Sequence, residues 1–228
     1  TWKSSTLSVS FFDLSPSLLK ALPFPDLETF TNLIESLSAR SYDLAGECLT
    51  IGNAVLGSMG RERSLFLVLW QTLSENSWRD IKGVLETYES SVSGIAEPLR
   101  NKFLRLANLL AMHGAKDTPR FLAQGGSAIG TLTIVEQEHV LDLCERLLSH
   151  SPISVAAFLN NLTLVINKVS MPQLDFWFDH GMGILSENPE GGLAYFKLES
   201  KTSEQMLEGL SSSTALEGIT HLLHLYCS

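Results

Sequence analysis

Residues 140–166, VLDLCERLLSHSPISVAAFLNNLTLVI, contain two helical sequence patterns that meet at a predicted helix start. The first part of this stretch repeats apolar residues at a spacing of three and four, which is typical of an amphipathic helix. Ser151 and Pro152 then supply an N-cap residue and a proline suited to the first helical position. A second apolar stripe follows through Leu159 and Ile166. The stretch therefore predicts two helices joined by a tight turn, called A and B.

The same two patterns recur about every 37 residues, and this period is the strongest signal in the chain. The helix B position occupied by Leu159 is apolar in each copy: Phe12, Leu49, Leu85, Leu122, Leu159 and Phe196. The helix A stripe recurs in four copies: Phe30, Leu33, Leu37; Phe66, Leu69, Leu73; Phe103, Leu106, Leu110; Val140, Leu143, Leu147. Each stripe lies on one helical face, so each unit buries its apolar side only against a neighbour.

A start signal separates A from B in every copy. The positions are Ser41, Ser77, Gly114, Ser151 and Asn188, of which four are good N-cap residues. The third copy departs from this pattern, so we expect its helix B to begin late, with Thr118 as N-cap and Pro119 at the first position. Gly125, Gly126 and Gly130 weaken that helix and predict a bend or the close approach of another backbone.

These patterns predict an all-α chain: a right-handed superhelix, or α-solenoid, of antiparallel helix pairs, similar to HEAT and TPR arrays. We expect one domain over residues 1–228, because no break is long enough for an interdomain linker. The predicted parts are a half-unit 1–26, units 27–60, 61–97, 98–134, 135–171 and 172–210, and a half-unit 211–228. Since both ends are half-units and the chain begins with Thr1, we expect the array to continue in both directions.

Composition excludes several classes of function. The 228 residues are 44% hydrophobic, and 16 basic against 25 acidic residues give a net charge of −9. No basic stripe suggests nucleic acid or an anionic membrane surface, whereas a basic protein patch would be tolerated. No apolar run approaches a membrane span. Cys48, Cys144 and Cys227 form no CxxC motif, so we expect a reducing, cytoplasmic location without disulfides.

Two short motifs could bind metal. Asp13-Leu14-Ser15-Pro16-Ser17 has the pattern D-x-S-x-S, but that site needs a preceding buried strand, and the chain behind it is helical. Glu217, His221 and His224 share a helical face in a last helix expected from about Thr214. They could hold zinc, although HExxH and a fourth ligand are missing. We favour a helix position for the first motif and an exposed face for the second.

An acidic region surrounds the fifth unit: Asp175, Asp179, His180, Glu187 and Glu190. Paired carboxylates can perform acid–base chemistry when burial separates their pKa values, but such clusters are more often solvated helix faces. Neither a G-x-S-x-G elbow nor a Walker A sequence is present. We therefore expect no catalytic, cofactor-binding or metal-ligating residue, and we expect the protein not to be an enzyme.

Partner binding is the remaining use of the unusual side chains. Tyr42 and Trp78 stand at equivalent positions after the A–B turn, off the apolar stripes. They pack on the adjacent unit or mark a partner-binding edge, where aromatic residues are enriched. Asp175, Asp179 and Glu187 complete the candidate set.

Residues 188–200, NPEGGLAYFKLES, resemble a known family, as do residues 11–16, FFDLSP, and 221–226, HLLHLY. The resemblance is to the helical N-terminal region of von Willebrand factor A-domain proteins of the nitric oxide reductase activation type. In that family a repeat array precedes the A domain, and the proteins are associated with MoxR-type AAA+ ATPases. The resemblance implies an adaptor that recruits a target to an ATPase-linked maturation system. No A domain fits within these residues, so no functional residue is carried over.

Three functions follow as alternatives. The first is a non-catalytic protein-interaction scaffold, since stacked helix pairs make extended surfaces that bind peptides or helices. The second is a metal-binding or hydrolytic domain that uses the acidic and histidine residues of the last two units. The third is a structural spacer or oligomerisation module.

Overall fold

A computed structural model of the chain describes residues 22–60, 62–114, 118–166 and 169–197. The described part is all-helical and carries no strand. Its helices are α1 (Phe24–Ser38), α2 (Tyr42–Ser58), α3 (Arg63–Asn76), α4 (Ile81–Val92), α5 (Glu97–Gly114), α6 (residues 118–130), α7 (Ile134–Leu148), α8 (Pro152–Val165), α9 (Met171–Glu187) and α10 (Pro189–Phe196). The all-α prediction is confirmed for these residues.

The predicted start signals account for most helix boundaries. Ser41 Oγ accepts the Leu44 N–H at 3.3 Å to cap α2, and Asn188 Oδ1 accepts the Gly191 N–H at 3.0 Å to cap α10. Pro152 opens α8, as its fixed φ and missing donor favour. These three starts agree with the sequence prediction.

One helix start differs from the prediction. Ser77 donates its hydroxyl to the Asp80 carboxylate and is followed by a 3₁₀ turn, Trp78–Asp80, so the regular helix α4 starts only at Ile81. The Ser77 hydroxyl therefore does not cap a regular helix directly. The predicted unit boundary between residues 97 and 98 lies beside a break in the helices, because α4 ends at Val92 and α5 begins at Glu97.

The predicted stripes face the interior. The recurring helix B positions Leu49, Leu85, Leu122, Leu159 and Phe196 are all buried. The helix A stripes are also buried: Phe30, Leu33, Leu37, Phe66, Leu69, Leu73, Phe103, Leu106, Leu110, Val140, Leu143 and Leu147. The apolar period therefore marks the core, since burial of these side chains supplies most of the folding free energy.

The contacts divide the chain into two compact units, one up to Gly126 and one from Ser127. In the first unit each helix contacts the next helix but one: α1 with α3, α3 with α5, and α2 with α4. A side-chain hydrogen bond joins α3 to α5, with Thr72 Oγ1 donating to Asn108 Oδ1 at 2.7 Å. Trp70 fills the space between α1 and α2, its ring 5.4 Å from that of Phe30.

The helix after α5 is irregular, as its glycines predicted. Residues 118–130 comprise an α-helical turn, a π-helical segment Phe121–Gly125 and a further α-helical turn. A Cβ at Gly126 would overlap the carbonyl group of Ser91, so the predicted close backbone approach is confirmed. Thr118 is helical and buried, and its hydroxyl has no hydrogen-bond partner in the described structure, so its expected role as N-cap is wrong.

The second unit packs α7 against α8 and α9, and α10 against α8 and α9. Its centre is aromatic: the Phe158 ring lies 5.2 Å from Trp177 and 5.9 Å from Phe196. The buried Asn161 Nδ2 donates to the Phe196 carbonyl at 2.6 Å, and the Tyr195 hydroxyl donates to the Trp177 carbonyl at 3.1 Å. These bonds satisfy polar groups inside an otherwise apolar core.

The predictions for the chain ends lie outside the described residues. They concern Phe11 and Phe12, the Asp13 motif, the last helix from about Thr214 with Glu217, His221 and His224, and Cys227. The boundaries of the repeat units and the single domain stay predictions.

Candidate functional site

Tyr42 and Trp78 stand 36 residues apart in the first unit, Tyr42 at the start of α2 and Trp78 in the 3₁₀ turn before α4. Tyr42, in the first turn of α2, has 43% of its surface exposed. Trp78 is half-buried in the 3₁₀ turn, and the guanidinium carbon of Arg79 lies 5.0 Å from its ring centroid. The Tyr42 side chain is therefore available to a partner, whereas the guanidinium of Arg79 partly covers the Trp78 ring.

The acidic residues of α9 face α7. His139 Nε2 lies 2.5 Å from Asp175 Oδ1, and Arg146 Nη2 donates to Asp179 Oδ1 at 3.1 Å. Both pairs are substantially exposed, so each is expected to add less than about 1 kcal/mol to stability. The carboxylates of Asp175 and Asp179 therefore connect α9 to α7.

His180 and Glu187 lie apart from these pairs. His180 contacts aromatic rings, 5.7 Å from Tyr195 and 6.3 Å from Phe176, and its burial lowers the pKa of the imidazole. Glu187 is exposed at the end of α9. Among the described residues, no group of three or more His, Cys, Asp or Glu side chains is arranged to hold a metal ion.

Sequence reasoning missed a polar cavity of about 250 Å³ in the first unit. It opens between the end of α2, the start of α3, the second half of α4 and the start of α5. Its wall consists of Ser58, Met59, Glu62, Tyr88, Glu89, Val92, Ser93 and Arg100. Two carboxylates, one guanidinium and a phenol thus meet in one concave place.

Glu62 and Arg100 are the charged pair of this cavity. Glu62 is only 6% exposed, and its Oε1 lies 3.6 Å from Arg100 Nη1. That distance exceeds an ordinary hydrogen bond, so the buried carboxylate keeps acceptor capacity. Arg100 is held in place because its Nε donates to the Ile95 carbonyl at 3.1 Å. A buried charge with a loosely placed partner is unfavourable unless further donors reach it.

Tyr88 supplies the third polar group. Its ring packs 4.5 Å from that of Phe66, and the side chain is only 3% exposed. Tyr88 lines the cavity, and its buried hydroxyl has no hydrogen-bond partner in the described structure. Burial raises the pKa of the phenol, and the neighbouring Glu62 carboxylate raises it further, while Arg100 opposes the shift. Tyr88 therefore stays protonated and can both donate and accept.

A sequence signal for this cavity did exist. Glu62 and Arg100 stand 38 residues apart, close to the predicted repeat length, and each lies just after a predicted unit boundary. Tyr88 lies on the buried stripe of α4, where a polar-tipped residue needs a partner. Two charged residues of opposite sign, separated by about the predicted repeat length, were therefore a sequence signal for this cavity.

Exposed apolar side chains form a second feature of the first unit. Val68 on α3 is 44% exposed, and Leu109 and Met112 on α5 are 40% and 59% exposed. The hydrogen bond between Thr72 and Asn108 places these two residues side by side on α3 and α5. Val68 lies one turn before Thr72, and Leu109 directly follows Asn108. These three residues are called the α3–α5 face below.

No described helix combines the length and the apolar character needed to cross a membrane. No family model, no curated protein and no solved structure matches this chain.

Proposed function

We propose that the chain is a helical-repeat scaffold that binds a polypeptide partner. The contacts between alternate helices support a stacked arrangement of A and B helices with a period of about 37 residues, as in α-solenoids. Hydrogen bonds at comparable separations support it too: Thr72 with Asn108, 36 residues apart, and Asn161 with Phe196, 35 apart. In such a stack each helix leaves one face free.

The observation that carries this proposal is the α3–α5 face. Three apolar side chains, each at least 40% exposed, lie on two adjacent A helices. Isolated exposed apolar residues are common, but neighbouring ones on a repeat surface are suited to the apolar side of a peptide or helix. The net charge of −9 favours a partner whose rim is basic.

The test compares three forms of the chain as bait in a cell extract, with quantitative mass spectrometry. The first is the wild type, the second carries Leu109→Asp and Met112→Asp, and the third carries Thr50→Asp and Ser90→Asp. The last two positions are exposed on B helices, so the third form matches the added charge away from the face. We expect a polypeptide that the wild type and the control retain and that the face variant loses by about tenfold or more.

Equal retention by all three forms would remove the α3–α5 face from the proposal. Light scattering on the same three forms tests the oligomerisation alternative. If the wild type has a multiple of the mass of one chain and the face variant has the mass of one chain, the partner is a second copy of this chain.

We also propose, from the resemblance of residues 188–200, that the partner belongs to an AAA+ ATPase-linked maturation system. The same experiment tests this, because an AAA+ ATPase or its target should be among the polypeptides lost with the face variant. The hydrolytic alternative receives less support, since Asp175 and Asp179 pair with His139 and Arg146. Calorimetric titration with zinc, magnesium and manganese tests it directly.

A further inference from the structure

We propose that the cavity between α2, α3, α4 and α5 binds an organic cation, an alkylammonium or alkylguanidinium group, through Glu62, Glu89 and Tyr88. This site goes beyond the scaffold function and does not depend on the α3–α5 face. Its basis is a cavity of about 250 Å³ that is lined by the buried Tyr88, whose hydroxyl has no hydrogen-bond partner in the described structure. Such a group is unfavourable unless something pairs with it.

The hydrogen-bonding character of the wall points to a ligand that donates. Ser58 Oγ already donates to the Val55 carbonyl at 2.9 Å, and Ser93 Oγ to the Ser90 carbonyl at 3.1 Å. Arg100 Nε is likewise engaged by Ile95. The lone pairs of both serine hydroxyls remain available, and so do those of the carboxylates. The cavity therefore offers mainly acceptors.

The charge of the wall agrees with its acceptors. Glu62 and Glu89 contribute two negative charges and Arg100 one positive charge, which leaves one negative charge in excess. Glu62 is buried, so its attraction for a cation is weakly screened, whereas Glu89 is exposed and guides the cation at the entrance. An anion would have Arg100 and Tyr88 as donors but would face both carboxylates.

Ammonium and guanidinium groups fit this set by geometry. Each presents several N–H donors on a short apolar stem. Glu62 and Tyr88 both line the cavity and would face the head, and the stem would lie against Met59 and Val92, which line it too. The same chemistry occurs in a free small amine and in the lysine or arginine side chain of a polypeptide.

The test follows binding by NMR of the chain labelled with ¹³C in its methionine methyl groups. Met59 lines the cavity, and Met112, near the far end of α5 from Arg100, serves as the internal control. The probes are n-butylammonium and n-butylguanidinium, with butyrate as the anionic counterpart. We expect a saturable shift of the Met59 signal with a dissociation constant in about the millimolar range, an unchanged Met112 signal, and no response to butyrate.

Variants separate binding from folding. Tyr88→Phe keeps the ring packing and should weaken binding about fivefold, since it removes one hydrogen bond. Glu62→Gln should weaken binding by about tenfold or more, and the exposed Glu89→Gln should weaken it less. Glu86→Gln is the matched control outside the cavity and should bind as the wild type does.

A Lys-containing peptide distinguishes the two sources of the cation. Acetyl-Gly-Lys-Gly-amide that binds more tightly than n-butylammonium identifies a polypeptide side chain, and weaker binding identifies a free amine. The proposal is overturned if neither cation shifts Met59, if butyrate alone does, or if Tyr88→Phe and Glu89→Gln both bind as the wild type does.

Discussion

Glycines inside the helices fall into two groups according to what surrounds the missing side chain. At Gly126 and Gly192 a Cβ would overlap the backbone of another segment, and at Gly52 it would meet the ring of the buried Trp70. At Gly57, Gly83 and Gly183 nothing lies within 4 Å. The first group permits close packing of helices, whereas the second only lowers helix propensity.

Gly126→Ala should lower the free energy of unfolding by about 2 kcal/mol or more, because the backbone of Ser91 cannot move away from the new methyl group without disturbing α4. Gly83→Ala is the matched control and should raise stability by about 0.5–1 kcal/mol. Urea denaturation followed by circular dichroism measures both. Equal effects of the two variants would mean that α4 and residue 126 do not approach as described.

Cys48 should make stability depend on pH in the alkaline range. It is fully buried, and its burial, aided by the Glu47 carboxylate, raises the pKa of the thiol from 9.0 to about 12. Because the pKa of Cys48 is raised in the folded state, the thiol loses its proton at a lower pH in the unfolded chain than in the folded one. The contribution of Cys48 to the free energy of unfolding is therefore complete below pH 9 and declines between pH 9 and about 12.

Urea denaturation between pH 8 and 10 measures this decline, and Cys48→Ala should show a shallower one. The buried Tyr88 and Tyr195, whose pKa values are raised too, are present in both proteins, so their contributions to the pH dependence cancel. Identical pH slopes for the two proteins would contradict the assignment to Cys48.

At the scale of the element, helix starts depend on single polar side chains. Thr133 begins α7 with a reciprocal capping box: its Oγ1 accepts the Glu136 N–H at 3.4 Å, and its own N–H donates to Glu136 Oε2 at 2.9 Å. Hydrogen bonds from Thr133 lower the pKa of the Glu136 carboxyl. The orphan donors of the first turn are thus satisfied locally.

Thr133→Ala should lower stability by about 1 kcal/mol and return the pKa of Glu136 towards its ordinary value. Thr131→Ala is the control, since Thr131 is exposed and its hydroxyl only donates to the Ala128 carbonyl at 2.8 Å. Thermal denaturation and carboxyl NMR titration measure the two effects. A similar loss for both variants would show that the box adds nothing specific to α7.

The helices also show which features of the fold can be predicted from the sequence. Recurring leucines and phenylalanines predicted the buried faces, because burial of a stripe follows from period alone. The 3₁₀ turn after Ser77 escaped prediction, since the Ser77 hydroxyl pairs with Asp80 instead of capping a helix directly. The cavity escaped prediction because Glu62, Tyr88 and Arg100 come from separate elements, and the spacing of Glu62 and Arg100 alone does not show that they line one cavity with Tyr88.

At the scale of the whole molecule, the contacts run mainly between neighbouring helices. Within each unit a helix contacts the next one or the next but one. In the proposed stack of repeats, the free energy of unfolding is approximately a sum of one contribution from each repeat and one from each interface between neighbouring repeats. Unfolding can then be local. The proposed repeat architecture therefore has a thermodynamic consequence that a single cooperative core does not share.

Phe158→Ala and Phe66→Ala test that consequence by hydrogen exchange. Both rings are fully buried, Phe158 in the second unit and Phe66 in the first, so each truncation should remove about 3–5 kcal/mol locally. For a stack, Phe158→Ala should accelerate amide exchange in α7 to α10 and leave α1 to α3 unchanged, and Phe66→Ala should do the reverse. If either variant accelerates amide exchange equally in all described helices, the helices form one cooperative core. Stability would then not be a sum of contributions from neighbouring repeats.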